Sequence, residues 1–221
     1  MPPDVQDTRL QSSGTPTTRA AVIPLFSTWI YRCDDGPKHL NGQLEALTRR
    51  LMENERNATR RTNLGGWHYA LDLFVIDDPV VTAFRYQMEQ HVQAFLNQLR
   101  KETDPTKKDR FRLQGWINVN RTGDENLLHC HPGCFLSGTY YVKTPADMKG
   151  GEIVFRDPRG PVVAMYETPG IDLPWVGAGT GIPFTPAAGQ LLLFPSWLEH
   201  RVARFDGTGD RISIAFNATN P

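Results

Sequence analysis

The chain has 221 residues, with 24 Lys and Arg against 24 Asp and Glu, so its formal net charge is zero. Balanced charge gives no indication of a nucleic acid or an anionic membrane as a partner, and no apolar run is long enough to span a bilayer. Hydrophobic residues make up 39% of the chain, which is typical of a globular protein with a sizeable core.

The first residues differ in composition from the rest of the chain. Residues 1–20 are rich in Ser, Thr, Pro and charge, which predicts a disordered tail. They show no basic segment followed by an apolar one, so no secretory signal is indicated. Three cysteines (Cys33, Cys130 and Cys134) are few and odd in number, which does not indicate a disulfide framework. We therefore expect a cytoplasmic protein.

Residues 21–221 show no composition change that would divide them, so we expect a single domain. The β-branched and aromatic residues 22–33 predict a strand. Leucines at helical spacing predict a first helix, and Asp77, Asp78 and Pro79 predict the start of a second. The first series is Leu40, Leu44, Leu47 and Leu51; the apolar face of the second helix carries Val80, Val81, Phe84, Met88, Val92, Phe95 and Leu99. Helical support is thus predicted over residues 37–103.

From residue 111 onward, short strand-like segments are separated by Gly, Pro and Asp. They are FRLQGWINVNR, FLSGTYYVK, GGEIVFRDP, PVVAMYE, GQLLLFPSW, HRVARF and RISIAFNA. Evenly spaced short strands with turn residues between them are typical of a sandwich or barrel. The predicted fold class is α+β, mainly β, with a β-sandwich or barrel core over residues 111–218 and the N-terminal helices packed outside it.

Two histidines lie close together in the segment NLLHCHPGCF. Side chains at i and i+2 of a strand point to the same face, so His129 and His131 can face one ion. Neutral imidazole suits iron, zinc, copper and nickel. Taken alone, the pair fits two solvated loop histidines equally well.

Two further residues lie downstream, in the segment from 186 to 217. His200 follows an apolar strand and a Pro-Ser-Trp turn. Arg211 opens the apolar run ISIAF, where a charge is unexpected. A buried Arg needs an anionic partner, and its planar group fits a carboxylate in a bidentate way. That carboxylate belongs either to a ligand or to a structural salt bridge.

These motifs together resemble the Fe(II)- and 2-oxoglutarate-dependent oxygenases, in particular their prolyl-hydroxylase-like branch. In that branch an H-x-D turn precedes a YYL-type strand, a GG turn, an apolar strand ending in F, a distal His and an Arg. Here these elements are HCH, TYYV, KGGEIVF, LLLFPSWLEH and RISIAFN, over roughly residues 116–217. The segments HPGCFLSGTYYV and FPSWLEH look most like a bacterial and phage subgroup of these oxygenases with an HxHP motif.

The resemblance implies a double-stranded β-helix, a cupin-like jelly-roll barrel with helices outside. It also implies a hydroxylase that uses Fe(II), 2-oxoglutarate and O2 and forms succinate and CO2. His129 matches the first iron ligand and His200 the distal ligand. Arg211 matches the residue that binds the distal carboxylate of 2-oxoglutarate, and Tyr141 matches a tyrosine that often contacts the same carboxylate.

Two asparagines on a predicted strand that enters the site, Asn118 and Asn120, are expected to contact the co-substrate or the substrate. The substrate itself, a small molecule or a peptide, is not indicated by the sequence, and neither is the oligomeric state.

The chain departs from the family at the third ligand, which is usually a carboxylate. Here His131 occupies that position. Either His131 is itself the third ligand, or an acid such as Asp157 or Glu152 replaces it. In a third alternative His131 is the first ligand and Gly133 leaves a position open for halide, as in related halogenases. We carry forward His129, His131 and His200 as the metal ligands, with Asp157 as the alternative third ligand.

Other polar residues receive plainer interpretations. Cys130 and Cys134 are expected to be small buried residues, although a zinc site with Cys134 is an alternative. His68 is expected to be packed or solvent-facing, with a position at the mouth of the barrel as the less favoured alternative, and His39 and His91 are expected to lie on helix surfaces. Residues 165–184, rich in Pro and Gly, are predicted to form a lid.

Three rival functions remain open from the sequence. A cupin-type dioxygenase or isomerase also uses an H-x-H pair, but its usual Glu is missing at positions 134–136. A jelly-roll binding module would need neither iron nor Arg211. A hydrolytic zinc enzyme would need a nearby acidic base, and Glu199 is expected to face away from His200.

Overall fold

The computed structural model describes residues 26–54, 62–69, 71–100, 108–160 and 181–221. The predicted tail over residues 1–20 and the start of the predicted strand at 22–33 lie outside these ranges. The division of the chain into a tail and one domain therefore stays a prediction. No helix in the described part is long and apolar enough to cross a membrane.

Two α-helices precede most of the strands. The 3-10 turn Lys38–Leu40 leads into α1 (Asn41–Asn54), and a second 3-10 turn, Leu73–Val75, precedes α2 (Pro79–Leu99). The carboxylate of Asp78 accepts a hydrogen bond from the backbone N–H of Val80 (2.9 Å), and Pro79 occupies the first turn. This cap satisfies a free helical N–H group, so α2 begins where the sequence predicts. Leu99, expected on the apolar face, is instead 47% exposed at the end of the helix.

Within the described residues, eleven strands form two antiparallel sheets. They are β1 (Tyr31–Cys33), β2 (Asn63–Leu64), β3 (Trp67–His68), β4 (Arg112–Asn120), β5 (Glu125–His129), β6 (Leu136–Lys143), β7 (Ile153–Arg156), β8 (Gly181–Phe184), β9 (Leu191–Pro195), β10 (His200–Val202) and β11 (Arg211–Thr219). The larger sheet has the order β1-β9-β6-β11-β4-β3 and the smaller one β2-β5-β10-β7-β8. The core strands β4, β6, β9 and β11 lie in the larger sheet, and β5, β7, β8 and β10 lie in the smaller one. This is the arrangement of the predicted double-stranded β-helix. The predicted strand PVVAMYE lies outside the described residues.

The larger sheet has two different faces. Strand β11 pairs with β4 on one side and with β6 on the other over most of its length. Its residues Ile212, Ile214 and Phe216 belong to the hydrophobic core shared with α1 and α2. Its alternate residues Arg211, Ser213 and Asn217 line the interior of the barrel. The strand period of two therefore separates the structural core from a polar pocket.

Inside the barrel, a smaller apolar cluster packs beside that pocket. Its buried members are Tyr141, Ile153, Phe155, Leu192, Phe194 and Leu198. Phe155 and Phe194 pack edge to face at 4.8 Å between ring centres, and each ring also lies near the His200 ring. This apolar cluster, enclosed between the two sheets, thus shields the polar side chains of the pocket from water.

Asp210 links α1 to the end of the barrel through ion pairs. Its carboxylate, 11% exposed, is paired with Arg49 of α1 and accepts a hydrogen bond from Nε of Arg121 at 3.0 Å. Partial burial acts to raise the pKa of Asp210, but the hydrogen bonds from Arg121 and Arg49 outweigh it and leave the pKa below the ordinary value. The pairing therefore favours the folded state when the carboxylate is ionised.

We expect Asp210→Asn to lower the free energy of unfolding at pH 7 by about 1 kcal/mol. A lowered folded-state pKa contributes stability above the unfolded pKa and loses it as the pH falls through the folded pKa. The difference between the two proteins should therefore shrink as the pH drops below about 4. Urea unfolding followed by circular dichroism at several pH values measures this. Asp35→Asn, at an exposed pair with Lys38, is the control and should change little; an unchanged gap at low pH would contradict the role of Asp210.

Candidate active site

Three histidines converge at the mouth of the barrel. His129 ends β5 and His200 begins β10, and the two residues face each other across the antiparallel pair. His131 lies in the turn that follows β5. One ring nitrogen from each histidine lies within 4.8 Å of the other two. The sequence grouped these residues correctly, but strand alternation does not aim His131, because His131 is not in a strand.

Each imidazole is held through its Nδ1 atom. His129 Nδ1 donates to the carbonyl oxygen of Leu127 at 2.6 Å, and His200 Nδ1 donates to the carbonyl oxygen of Leu198 at 2.9 Å. His131 Nδ1 donates to Oδ1 of Asn217 at 2.6 Å. A carbonyl oxygen only accepts, so Nδ1 carries the proton and Nε2 keeps its lone pair.

The histidines are suited to a metal in their charge as well. Burial lowers the pKa of His129 and His131 below the ordinary value. Burial, reinforced by the nearby His129 ring, lowers the pKa of His200 to about 3. His131 Nε2 is buried and has no hydrogen-bond partner among the described residues. Three neutral imidazoles with free lone pairs fit a divalent transition metal, because such an ion needs deprotonated nitrogen donors.

Arg211 lies at the inner end of the same pocket and is 2% exposed. Its guanidinium carbon is 5.1 Å from the centre of the Tyr141 ring. Its Nη1 donates to Oδ1 of Asn120 at 3.0 Å and, more weakly, to the hydroxyl of Ser213 at 3.4 Å. Its Nε is buried without a partner, and no carboxylate of the described residues forms a salt bridge with it. A structural salt bridge, the alternative raised by the sequence, is therefore not seen there.

Tyr141 stays protonated beside this cation, because burial raises the pKa of its hydroxyl. Burial also lowers the pKa of Arg211 from its very high ordinary value. A buried guanidinium next to a neutral phenol is a site for an incoming anion. A carboxylate is the group that best fits the free edge of the guanidinium.

The histidines and Arg211 share one pocket of about 310 Å³, a size suited to a small ligand. Both predicted asparagines line it. Asn120 holds Arg211, whereas Asn118 is hydrogen-bonded through Oδ1 to Nδ1 of His68 at 2.9 Å. His68 is buried and lines the pocket, so the packed interpretation and the alternative position in the barrel both describe it, and the solvent-facing one does not.

The sequence and structural comparisons agree with this geometry. Residues 114–217 match a family model described as "Putative 2OG-Fe(II) oxygenase". No curated protein sequence matches the chain.

The chain is therefore similar to the 2OG-Fe(II) oxygenases over residues 114–217, slightly less than half of its 221 residues.

Solved structures show the same fold. A prolyl-4-hydroxylase from Pseudomonas putida is 18% identical, with a TM-score of 0.60 over 88% of this chain and 94% of that chain. HygX from Streptomyces hygroscopicus, solved with nickel, 2-oxoglutarate and hygromycin B, is 15% identical, with a TM-score of 0.57 over 87% and 83%.

A prolyl hydroxylase from Trichoplax adhaerens, in complex with a hypoxia inducible factor peptide, is 12% identical, with a TM-score of 0.55 over 86% and 83%. At these identities the likeness concerns the fold. The family match confirms the expected class of enzyme, an oxidoreductase that uses Fe(II) and 2-oxoglutarate.

Asp157, the alternative third ligand, lies away from the three histidines. Both carboxylate oxygens of Asp157 bind Arg159, at 3.0 and 2.6 Å, in a local turn. The potential metal group among the described residues contains the three histidines and neither Asp157 nor Glu152. Three neutral ligands in place of two and a carboxylate leave the site one charge more positive.

The two cysteines near the histidines do not join the group either. Cys134 is half-buried, and its thiol makes only a long contact of 3.9 Å with the carbonyl oxygen of Pro132. Cys130 is exposed, so its interpretation as a small buried residue is wrong. Cys130 follows His129 directly at the end of β5 and is among the residues that border the pocket.

Other interpretations need smaller corrections. His91 is half-buried and hydrogen-bonded to the hydroxyl of Tyr31 at 3.0 Å, so it is not a free surface residue. Glu199 does face away from the site and pairs with Arg156 on the surface. The predicted lid lies outside the described residues except for 181–184, which form β8.

The polar residues behind His131 were not predicted from the sequence. They are Ser137, Ser196 and Asn217, all buried. A usable signal existed for Asn217. Arg211, Ser213 and Asn217 alternate with Ile212, Ile214 and Phe216, and a strand that opens with a functional Arg should present its other odd-numbered residues to the same pocket.

We expect one divalent ion per chain, bound by the three histidines. Replacement of His129, His131 or His200 by alanine should in each case weaken Fe(II) or Co(II) binding by more than about 100-fold. Loss of a ligand should cost more metal affinity than loss of a residue that only hydrogen-bonds to a ligand, which costs about 10- to 100-fold. Anaerobic metal titration measures the affinity. Asp157→Asn and His39→Ala are the controls and should bind normally; normal binding by His131→Ala with loss in Asp157→Asn would contradict the three-histidine assignment.

Proposed function

We propose that this oxygenase holds Fe(II) with His129, His131 and His200 and binds the distal carboxylate of 2-oxoglutarate with Arg211 and Tyr141. The reaction is hydroxylation of an uncharged part of a substrate. The observation that carries this proposal is the coexistence, in one pocket, of three converging neutral imidazoles and a buried guanidinium that forms no salt bridge with a carboxylate of the described residues.

The chemistry that this cofactor pair supplies is oxidative decarboxylation of 2-oxoglutarate by O2 to succinate and CO2, coupled to insertion of one oxygen atom into a substrate C–H bond. The atoms balance, because one oxygen atom of O2 enters succinate and the other enters the alcohol. Binding and orientation are left to the protein.

The side chains divide this work between them. Asn120 fixes the guanidinium of Arg211, so that its Nε and remaining N–H groups present a fixed edge to the carboxylate. Tyr141 keeps its proton and can donate it in a hydrogen bond to the same group. Ile153 and Phe194 line the pocket with apolar surface, which excludes water and strengthens each of these contacts.

The rest of the pocket favours a neutral group on the substrate. Apart from the histidines and Arg211, the described lining residues are uncharged and include Thr62, Leu71, Gln114, Trp116, Asn126 and Pro132. A charged group beside them would lose its hydration without gaining a counter-ion. The HygX structure contains hygromycin B and the Trichoplax structure a peptide. The pocket of this chain is compatible with a neutral section of either kind of molecule.

The compartment is part of the proposal. Cys33, Cys130 and Cys134, the three cysteines of the chain, are all free thiols, and Cys130 is exposed. Free exposed thiols persist in reducing compartments. This supports a cytoplasmic location.

The cofactor roles predict a visible charge-transfer band when Fe(II) and 2-oxoglutarate are added together without O2. Arg211→Ala should raise the 2-oxoglutarate concentration needed for half of the band by about 30-fold or more, since loss of a buried charge partner costs at least about 2 kcal/mol. Its affinity for Fe(II) alone should stay near that of the unmodified protein.

Arg201→Ala, at an exposed arginine of β10, is the matched control and should behave as the unmodified protein. Parallel loss of metal, fold and band in Arg211→Ala would make Arg211 structural. A bound metal that gives no band with 2-oxoglutarate in the unmodified protein would favour a cupin-type dioxygenase. No bound metal at all would favour a binding module.

The neutral pocket makes a separate prediction about substrates. In pairs of compounds that differ only as carboxamide and carboxylate at the reacting end, the carboxamide should stimulate 2-oxoglutarate-dependent O2 consumption at least about tenfold more. An oxygen electrode measures the rate, with reactions lacking 2-oxoglutarate as the blank. A consistent preference for the carboxylate members would show that a cationic group recognises the substrate.

A further inference from the structure

A closed circuit of hydrogen bonds lies behind His131. The His131 ring donates from Nδ1 to Oδ1 of Asn217 (2.6 Å), and Oδ1 of Asn217 also accepts from the hydroxyl of Ser137 (2.8 Å). The hydroxyls of Ser137 and Ser196 are 2.7 Å apart. The circuit closes where the backbone N–H of His131 donates to the carbonyl oxygen of Ser196 at 2.9 Å.

The donors and acceptors available give the direction of each hydrogen bond in the circuit. The amide oxygen of Asn217 only accepts, and its two lone pairs are taken by His131 and Ser137. Ser137 spends its single proton on Asn217, so the proton between the two serines comes from Ser196. Ser137 and Ser196 are at most 1% exposed and Asn217 is 9% exposed, so water competes little for these bonds.

The sheet fixes the position of Asn217. Asn217 on β11 lies directly opposite Ser137 on β6 in the antiparallel register. Ser196 follows β9, the neighbour of β6 on its other side. Three adjacent strands of the larger sheet therefore contribute to the support of one residue in a turn.

His131 differs in this respect from the other two histidines. His129 and His200 each donate to the carbonyl oxygen two residues earlier in their own segment. Those acceptors belong to the backbone and are present whatever the side chains are. His131 alone depends on a side chain from another strand. Its ring is otherwise positioned by ring packing, with centres 5.7 Å from Trp116, 5.1 Å from His129 and 5.2 Å from His200.

We propose that Asn217, itself held by Ser137, is the positioning residue that makes His131 the third metal ligand of this site. It fixes the imidazole as the Nδ1–H tautomer and aims Nε2 at His129 and His200. The inference rests on the proposed three-histidine centre. The amide also keeps the supporting group uncharged, so the ligand remains a plain neutral imidazole and does not gain the basicity that a carboxylate partner would give it.

The test compares substitutions that remove or strengthen the acceptor. Asn217→Ala should weaken Co(II) and Fe(II) binding about 10- to 100-fold, the effect usually seen when the group behind a metal-bound histidine is lost. Asn217→Asp restores an acceptor of nearly the same shape and should bind metal at least as tightly as the unmodified protein. Ser137→Ala, which removes one of the two hydrogen bonds to Asn217, should give a smaller loss.

A spectroscopic readout separates positioning from simple folding. A carboxylate behind His131 increases its electron donation to Fe(II), so the charge-transfer band with 2-oxoglutarate should move to longer wavelength in Asn217→Asp. Asn41→Ala removes a comparable bond, from the Tyr140 hydroxyl at 2.6 Å, outside the pocket. This control should leave both the metal affinity and the band unchanged. Thermal unfolding of each variant in the absence of metal completes the comparison.

The outcomes distinguish this inference from the proposed function. Normal metal binding by Asn217→Ala, with the histidine variants still impaired, would overturn the inference alone. Equal weakening of metal binding in Asn217→Ala and Asn217→Asp, or an unmoved charge-transfer band in Asn217→Asp, would also overturn it. In either case the amide of Asn217 would support the fold and not the position of His131. Absence of metal binding in the unmodified protein would overturn the proposed function.

Discussion

The site depends on the two-residue alternation of side chains along β11. Ile212, Ile214 and Phe216 pack against the helices, and this contact presents Arg211 and Asn217 to the barrel interior. Pairing with both β4 and β6 fixes the register of the strand. A slip by one residue would move the guanidinium and the amide into the apolar core and the isoleucines into the pocket. Packing of the apolar residues of β11 thus fixes the direction in which its polar side chains point.

The distribution of charge explains what this pocket can accept. Three imidazoles are uncharged, and Arg211 brings a positive charge without a carboxylate partner among the described residues. A divalent ion increases the excess of positive charge, and a dianionic co-substrate reduces it. A carboxylate ligand would offset part of the charge within the protein. In the proposed three-histidine centre, its replacement by His131 would shift that task toward the co-substrate and leave the metal with less electron donation.

Local patterns predicted the elements well, because capping and periodicity act over a few residues. Asp78 and Pro79 start α2 as expected, and Arg211 was identified by its place in an apolar run. The pairing of His129 with His200 came from family resemblance, because cross-strand register between residues so far apart has no local signal. The link between Arg49 and Asp210 was missed for the same reason. Asn217 was within reach of strand alternation, but its acceptor role depends on a turn whose path the pattern does not define.

The jelly roll holds the three proposed metal ligands in two different ways. His129 and His200 are fixed by strand pairing and by nearby backbone carbonyls, so almost any sequence that keeps the two strands keeps both rings in place. The third position lies in a turn, outside the hydrogen-bond ladder, where the fold does not determine the side chain. An imidazole there projects further than a short carboxylate and has a second nitrogen to satisfy. The presence of His131 therefore requires an acceptor on a neighbouring strand, and Asn217 is that acceptor in this chain.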